Sequence, residues 1–235
     1  MKKQSLAVRC FKRPETSPTV YSQTWLSQWQ REIYSSSIEI PSVLPESLGH
    51  VMPLLMCGEQ SAALVFNRES ARQTATRSAR LFSAIEADEL VHDDALQVIY
   101  SQLPVSPDEA TIKRRAKRFY AAMGSGSGSV SAGELFARIL HLDSCVCVIM
   151  NSVENGKLGN RHPYAKVFRR IKQDEERHVG ISRQHLRWLD DDLERTAEAG
   201  REIRARLVEL LRSEAAHFEN LGVDIDILEK AMLRG

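Results

Sequence analysis

Two stretches of the chain, 86 positions apart, share one five-residue pattern: Asp88-Glu89-Leu90-Val91-His92 and Asp174-Glu175-Glu176-Arg177-His178. Each reads Asp-Glu-x-x-His. On a helix, residues three apart share a face, so each copy aims one carboxylate and one imidazole at the same point. A hard oxygen donor beside a borderline nitrogen donor suits iron or manganese. The chain has 20 Glu and 7 His in 235 residues, and chance placement then gives about 0.6 Glu-x-x-His. Requiring one of the 11 Asp residues in front lowers the expectation to about 0.03. A third Glu-x-x-His, Glu214 to His217, follows Ser213 instead and serves as an internal comparison.

Both copies fall on helices. Over residues 76–102, Phe82, Ile85, Glu89, His92, Leu96 and Ile99 recur at steps of three and four, which marks one face. The same holds over 163–189 for Phe168, Ile171, Glu175, His178, Ser182 and His185. Two further helices are expected at about 46–72, with Pro53 making its start ambiguous, and at about 132–155. The polar stretch Arg68 to Arg80 should hold the first turn, and Gly156 to His162 the second. Accessory helices are expected at about 107–123 and 192–220, with a short apolar piece near Ile225 to Met232. Ser106-Pro107-Asp108-Glu109 and Ser131-Ala132-Gly133-Glu134 read as capping boxes. Gly124 to Ser129 alternates Gly and Ser as a joint, and Asp190-Asp191-Asp192 interrupts the last hairpin. Residues 1–45 form an N-terminal extension that is polar and irregular to residue 20, with a short amphipathic helix at 22–34 carrying Trp25, Trp29 and Ile33. No strand signal stands out. The expected fold is all-α, one domain over 46–235.

Two Glu-x-x-His pairs on facing helices, completed by one carboxylate from each of two other helices, make the dinuclear site of a four-helix bundle. In an antiparallel hairpin, residues equidistant from the turn face each other. Glu59 and Glu89 lie 15 residues either side of position 74. Asp143 and Glu175 lie 16 residues either side of Gly159. Glu134 competes for the third-helix place but is occupied by its capping box, and Glu154 is too close to the turn. Glu86, one turn before Glu89, is an additional candidate carboxylate. Four carboxylates buried together cost far more than a fold can bear; two divalent cations cancel them. The candidate ligands are Glu59, Glu89, His92, Asp143, Glu175 and His178.

Composition bounds the rest. Net charge is +1, so no global field points to nucleic acid. Of the four cysteines, Cys10, Cys57, Cys145 and Cys147, none forms Cys-x-x-Cys, so zinc-ribbon and rubredoxin-type centres have no ligands. The count does not suggest a disulfide framework in a chain of this length. No stretch approaches the apolar length of a membrane span. The expectation is a cytoplasmic protein with reduced thiols and no membrane partner. Cys145 and Cys147 flank the site as small core residues, and His185 reads as a core histidine.

The doubled motif with its flanking carboxylates resembles the ferritin-like superfamily of di-iron carboxylate proteins, over about residues 46–189. That resemblance implies metal ligation by Glu59, Glu89, His92, Asp143, Glu175 and His178, with Asp88 and Asp174 each hydrogen-bonded to the His of the opposite motif. Asp143 departs from the commoner glutamate and reaches less far. The radical tyrosine of ribonucleotide reductase small subunits is replaced by Leu96, and the added His of aryl-amine N-oxygenases by Ile171. Rubrerythrins append a rubredoxin centre, and storage ferritins lack this N-terminal extension and long fifth helix. The resemblance thus implies two Fe ions, with Mn an alternative at one or both positions. It implies a stand-alone oxidase or oxygenase that uses O2 and an external electron donor on a small-molecule substrate. Two alternatives remain: a ferroxidase or peroxide-detoxifying protein, and a tRNA-modifying hydroxylase. The last would give a role to the basic run Lys113, Arg114, Arg115, Lys117 and Arg118, otherwise a solvated face. Exposed Trp25 and Trp29 offer a homodimer contact.

Overall fold

The computed structural model describes residues 8–16, 20–35, 38–104, 106–124, 130–189 and 192–234. The Gly-Ser joint, apart from Gly124, and Asp190 and Asp191 lie outside them. The described residues form helices and turns with no strand. They are α1 Val20–Ser35, α2 Leu44–Arg72, α3 Thr76–Tyr100, α4 Glu109–Gly124, α5 Ala132–Glu154, α6 Pro163–Leu186, α7 Leu193–Arg212, α8 Ala215–Asn220 and α9 Ile225–Arg234. The chain divides into two compact units, Met1–Lys117 and Arg118–Gly235.

The first unit is built on the α2–α3 hairpin, onto which α1 packs through α3. Its core interleaves Leu48, Met52, Met56 and Phe66 with Phe82, Ile85 and Leu96, all buried. Phe66 and Phe82 meet at 5.9 Å near the turn. The turn between the two helices falls within the polar stretch Arg68 to Arg80: α2 runs to Arg72 and α3 starts at Thr76. Glu69, buried and held by Arg72 at 2.9 Å, anchors α2's last turn. Pro53 lies inside α2 without ending it, and Pro45 occupies the first turn, where the missing N–H is harmless.

The Ser106 box does not head α4. Ser106 Oγ accepts the Asp108 N–H, and the helix begins at Glu109, whose carboxylate accepts the Tyr100 hydroxyl at 2.8 Å. Trp29 is buried, 3% exposed, which corrects its reading as an exposed dimer contact; Trp25 stacks on it at 6.2 Å.

The second unit is built on the α5–α6 hairpin, with α7 and α9 packed on α5. Ser131 caps α5 in the expected box: its Oγ accepts Glu134 N–H, and Glu134 accepts Ser131 N–H. The hairpin turn passes through Gly159 at φ +83°, a left-handed conformation that glycine adopts at no steric cost. His162 caps α6 and Pro163 opens it. The helix expected over 192–220 is broken after Arg212, where Ser213 and Glu214 separate α7 from α8.

Cys10 and Cys57 form a disulfide, with Cα atoms 5.4 Å apart, correcting the expectation of reduced cysteines throughout. Cys145 and Cys147 are free. Among the described residues, no helix is long and apolar enough to cross a membrane.

Candidate metal centre

In the first unit, the hairpin register brings Glu59 on α2 opposite Glu89 and His92 on α3. His92 Nδ1 lies 3.1 Å from Glu59 Oε2 and 3.7 Å from Glu89 Oε2. Each residue offers a ligand atom within 4.8 Å of the others'. All three are buried, Glu59 at 4%, Glu89 at 2% and His92 at 1% exposed. Burial holds the Glu59 carboxyl well above the usual carboxylate range, the charge of Glu89 adds to this, and the His92 hydrogen bond works against it. Two oxygens and one imidazole nitrogen are a donor set for a borderline or hard divalent ion. A cation would offset both the burial and the Glu89 charge that raise the Glu59 carboxyl. These three residues could hold a metal ion.

Glu86, one turn before Glu89, is also buried but engaged elsewhere. It accepts from Asn67 at 3.0 Å and from the Thr16 hydroxyl. Asp88 is buried beside Glu89.

A strap formed by residues 8–16 crosses this hairpin. Val8 receives a hydrogen bond from Gln60 Nε2 at 2.8 Å and from Gln97 Nε2 at 2.7 Å on its carbonyl. Its own N–H donates to Gln97 Oε1 at 3.1 Å. The Cys10 N–H donates to Gln60 Oε1 at 2.8 Å. Buried Asp93 accepts from Gln60, Gln97 and Arg9, and Arg13 pairs with Asp94. Gln60 and Asp93 each adjoin a candidate ligand, Glu59 and His92. The strap was not foreseen. Its residues have no periodicity, and its partners lie 50 to 89 positions away.

In the second unit, α6 carries Asp174, Glu175 and His178, and α5 carries Asp143. His178 Nδ1 lies 3.5 Å from Glu175 Oε2. His178 is 0%, Glu175 3% and Asp143 7% exposed. Asp143 and Glu175 both act on the Cys147 thiol, which burial first, and these carboxylates second, push up to about 12. Burial likewise pushes Cys145 up to about 12. Asp174 is gripped by Arg170 at 2.7 Å and Arg177 at 3.0 Å.

The competing residues have other work. Glu134 accepts from Arg195 Nε at 2.8 Å besides closing its cap. Glu154 accepts from Arg169 at 2.7 Å and Lys172 at 3.2 Å. His185 packs on Phe136 with ring centroids 4.4 Å apart, as a core histidine should. Glu214 is buried where α7 gives way to α8, and its donor atom lies within 4.8 Å of that of His217, so the comparison Glu-x-x-His also brings its two donors together.

Compared with models of known families, with curated proteins and with solved structures, the chain matches none.

Proposed function

We propose that the chain is a non-haem dinuclear iron oxidase or oxygenase that uses O2 to oxidise a small organic molecule. In this reading α2, α3, α5 and α6 make one ferritin-like bundle. Glu59, Glu89, His92, Asp143, Glu175 and His178 then ligate two irons, with manganese the alternative metal. The observation that carries it is the buried trio Glu59, Glu89 and His92, with donor atoms within 4.8 Å. The repeated motif supplies a second Glu–His pair, also buried, on the α5–α6 hairpin. Four carboxylates against two divalent cations leave no net charge to bury, which is the condition such a cluster must meet.

When bound, a reduced iron pair supplies electrons and Lewis acidity for activating O2. The chain's own residues do the rest. Glu59 and Glu89 offer carboxylate oxygens, and His92 a ring nitrogen. Arg170 and Arg177 fix the Asp174 carboxylate beside Glu175, so that its neighbour is held on a rigid turn. Buried Met56, Ile85, Leu96 and Ile171 keep bulk water from the reacting volume. Electrons come from an external donor.

The test is anaerobic Fe(II) loading, metal analysis, and then O2 with Mössbauer spectroscopy. Two irons per chain, in a coupled pair after oxidation, support the reading. A native chain that takes up no metal, or loading undiminished when Glu59 and Glu89 are both changed to Gln, overturns it. Oxygen uptake stoichiometric with iron, ending in a large mineral, would instead assign ferroxidase activity.

A further inference from the structure

The strap meets the α2–α3 hairpin through two amide side chains and one carboxylate, and every polar atom of the central amide is used. Gln60 Nε2 donates to the Val8 carbonyl at 2.8 Å and to Asp93 Oδ1 at 2.9 Å. Gln60 Oε1 accepts the Cys10 N–H at 2.8 Å and the Phe11 N–H at 3.3 Å. Two bonds given and two received exhaust what a glutamine side chain can make. Asp93 Oδ1 accepts a second bond, from Gln97 Nε2 at 3.0 Å, while Oδ2 takes the Arg9 guanidinium, with Arg13 at 3.8 Å. Gln60 is 5% and Asp93 2% exposed.

The Gln60–Asp93 bond joins α2 to α3. It lies one residue along each helix from the Glu59–His92 contact, and both contacts span 33 positions. Burial of Met52, Met56, Phe82 and Leu96 holds the two helices together, but the hydrophobic effect has no direction. It tolerates small slides and rotations of one helix on the other. A buried polar network tolerates neither, since a slide leaves desolvated groups without partners. Fixing one register is the best-attested use of buried polar groups. A metal site needs that use, because its donors must be held to within about 0.5 Å.

We propose that Gln60 and Asp93 are positioning residues of the Glu59–Glu89–His92 centre, and that the strap is the clasp that holds them in place. The inference rests on reading that trio as a metal site. Neither residue is itself a ligand. Gln60 acts on Glu59, and Asp93 on His92, through the backbone each pair shares. The bond between Gln60 and Asp93 sets the spacing of the two ligands across the hairpin. Arg9 and the main chain of Val8 and Cys10 keep that bond covered and its partners satisfied.

The experiment is anaerobic titration of the metal-free full chain with Co(II), followed by visible absorption, beside a circular dichroism melt. The absorption reports the geometry around the bound ion, which a general loss of stability leaves unchanged in the folded protein. Asp93→Ala removes the bridge. It should weaken Co(II) binding about 10–100-fold, the usual effect of losing a group that orients a ligand, and shift the absorption. Asp93→Asn keeps an oxygen for Gln60 and should restore both. Gln97→Ala loosens the strap but leaves the bridge; it should lower the melting temperature and bind Co(II) as the native chain does. Should Asp93→Ala not fold, Gln60→Met removes the same bond at similar volume and is read in the same way. A native chain that binds no Co(II) overturns the metal reading and this inference with it. A native chain that binds Co(II), matched by Asp93→Ala and Gln60→Met in affinity and absorption, overturns this inference alone. So does failure of Asp93→Asn to restore binding, or a loss in Gln97→Ala equal to that in Asp93→Ala, since the cause would then be the strap's stability.

Discussion

His92 Nδ1 and Glu59 Oε2 stand 3.1 Å apart across the α2–α3 hairpin, although 33 residues separate them in the chain. The contact exists because both helices keep one uninterrupted register into a turn of three residues, Gln73 to Ala75. It also sets two carboxylates together: Glu59 feels the charge of Glu89 as well as its own burial. Without metal the pair opposes folding; with metal it becomes a binding site. Glu59→Gln should therefore raise the melting temperature of the metal-free protein. The native chain should then gain about 2.7 kcal/mol from metal at a hundredfold excess over its dissociation constant, and the variant distinctly less. A variant less stable than the native chain in both states would contradict this. Differential scanning calorimetry with and without metal gives the comparison.

In the proposed reading, the two candidate carboxylates of α5 divide between metal ligation and capping. Asp143 is buried in the middle of α5, whereas Glu134 closes the cap and pairs with Arg195. Asp143→Ala should lose one of the two metals per chain with the helix intact. Glu134→Ala should keep both metals. Ser131→Ala should cost about 1 kcal/mol through the lost cap alone. Metal analysis alongside denaturant unfolding distinguishes the three.

What was legible in the sequence was whatever repeats at helical spacing. Phe82, Ile85, Glu89 and His92 share a stripe, and the midpoint at position 74 put Glu59 opposite them. The strap was not legible, because hydrogen bonds that join Gln60, Gln97 and Asp93 to a chain segment 50 to 89 residues away leave no local pattern. The exposure of Trp29 was misread for a related reason: its cover comes from the packing of α1 on α3, which α1's own sequence does not encode. The break at Ser213 was hidden by a charged, helix-favouring stretch that continues past it.

The Cys10–Cys57 disulfide closes a loop with a sequence separation of 47 and ties the strap to α2. A loop of that length contributes about 4 kcal/mol in the chain-entropy picture. Thiol titration of the denatured, unreduced protein should find the two free cysteines, Cys145 and Cys147, and all four after reduction. Cys10→Ser should lower stability by up to that amount. Finding four thiols without reduction would remove the covalent tie and leave the strap to its hydrogen bonds.

Glu154 locks the other end of the α5–α6 hairpin. Burial pushes its carboxyl up, but the hydrogen bonds from Arg169 and Lys172 outweigh this and hold it below its ordinary value. A depressed folded-state value means that the contribution is present above the unfolded carboxylate range and is lost as pH falls through the folded value. With Arg169 40% and Lys172 22% exposed, solvent screens the pair, so Glu154→Gln should cost only about 1 kcal/mol at neutral pH. That difference should shrink toward zero in strong acid, once the pH has passed below the folded value and the native side chain is protonated too. Urea unfolding of both proteins at the two pH values tests it; a difference that grows in acid would show the sign to be wrong.

Two helical glycines give opposite forecasts from the same substitution. Gly180 lies exposed on α6, and a Cβ built there meets nothing within 4 Å. Gly180→Ala should stabilise by about 0.5–1 kcal/mol, since alanine loses less backbone freedom on entering a helix. Gly200 is buried on α7 with the His141 ring seated against its Cα, and a Cβ there would collide with Cδ2, Nε2 and Cγ of the ring. The ring cannot step aside without breaking its hydrogen bond from Arg204. Gly200→Ala should therefore destabilise by about 1–3 kcal/mol, the usual range for overpacking. If Gly200→Ala folded as stably as Gly180→Ala, the packing of His141 on α7 would be refuted.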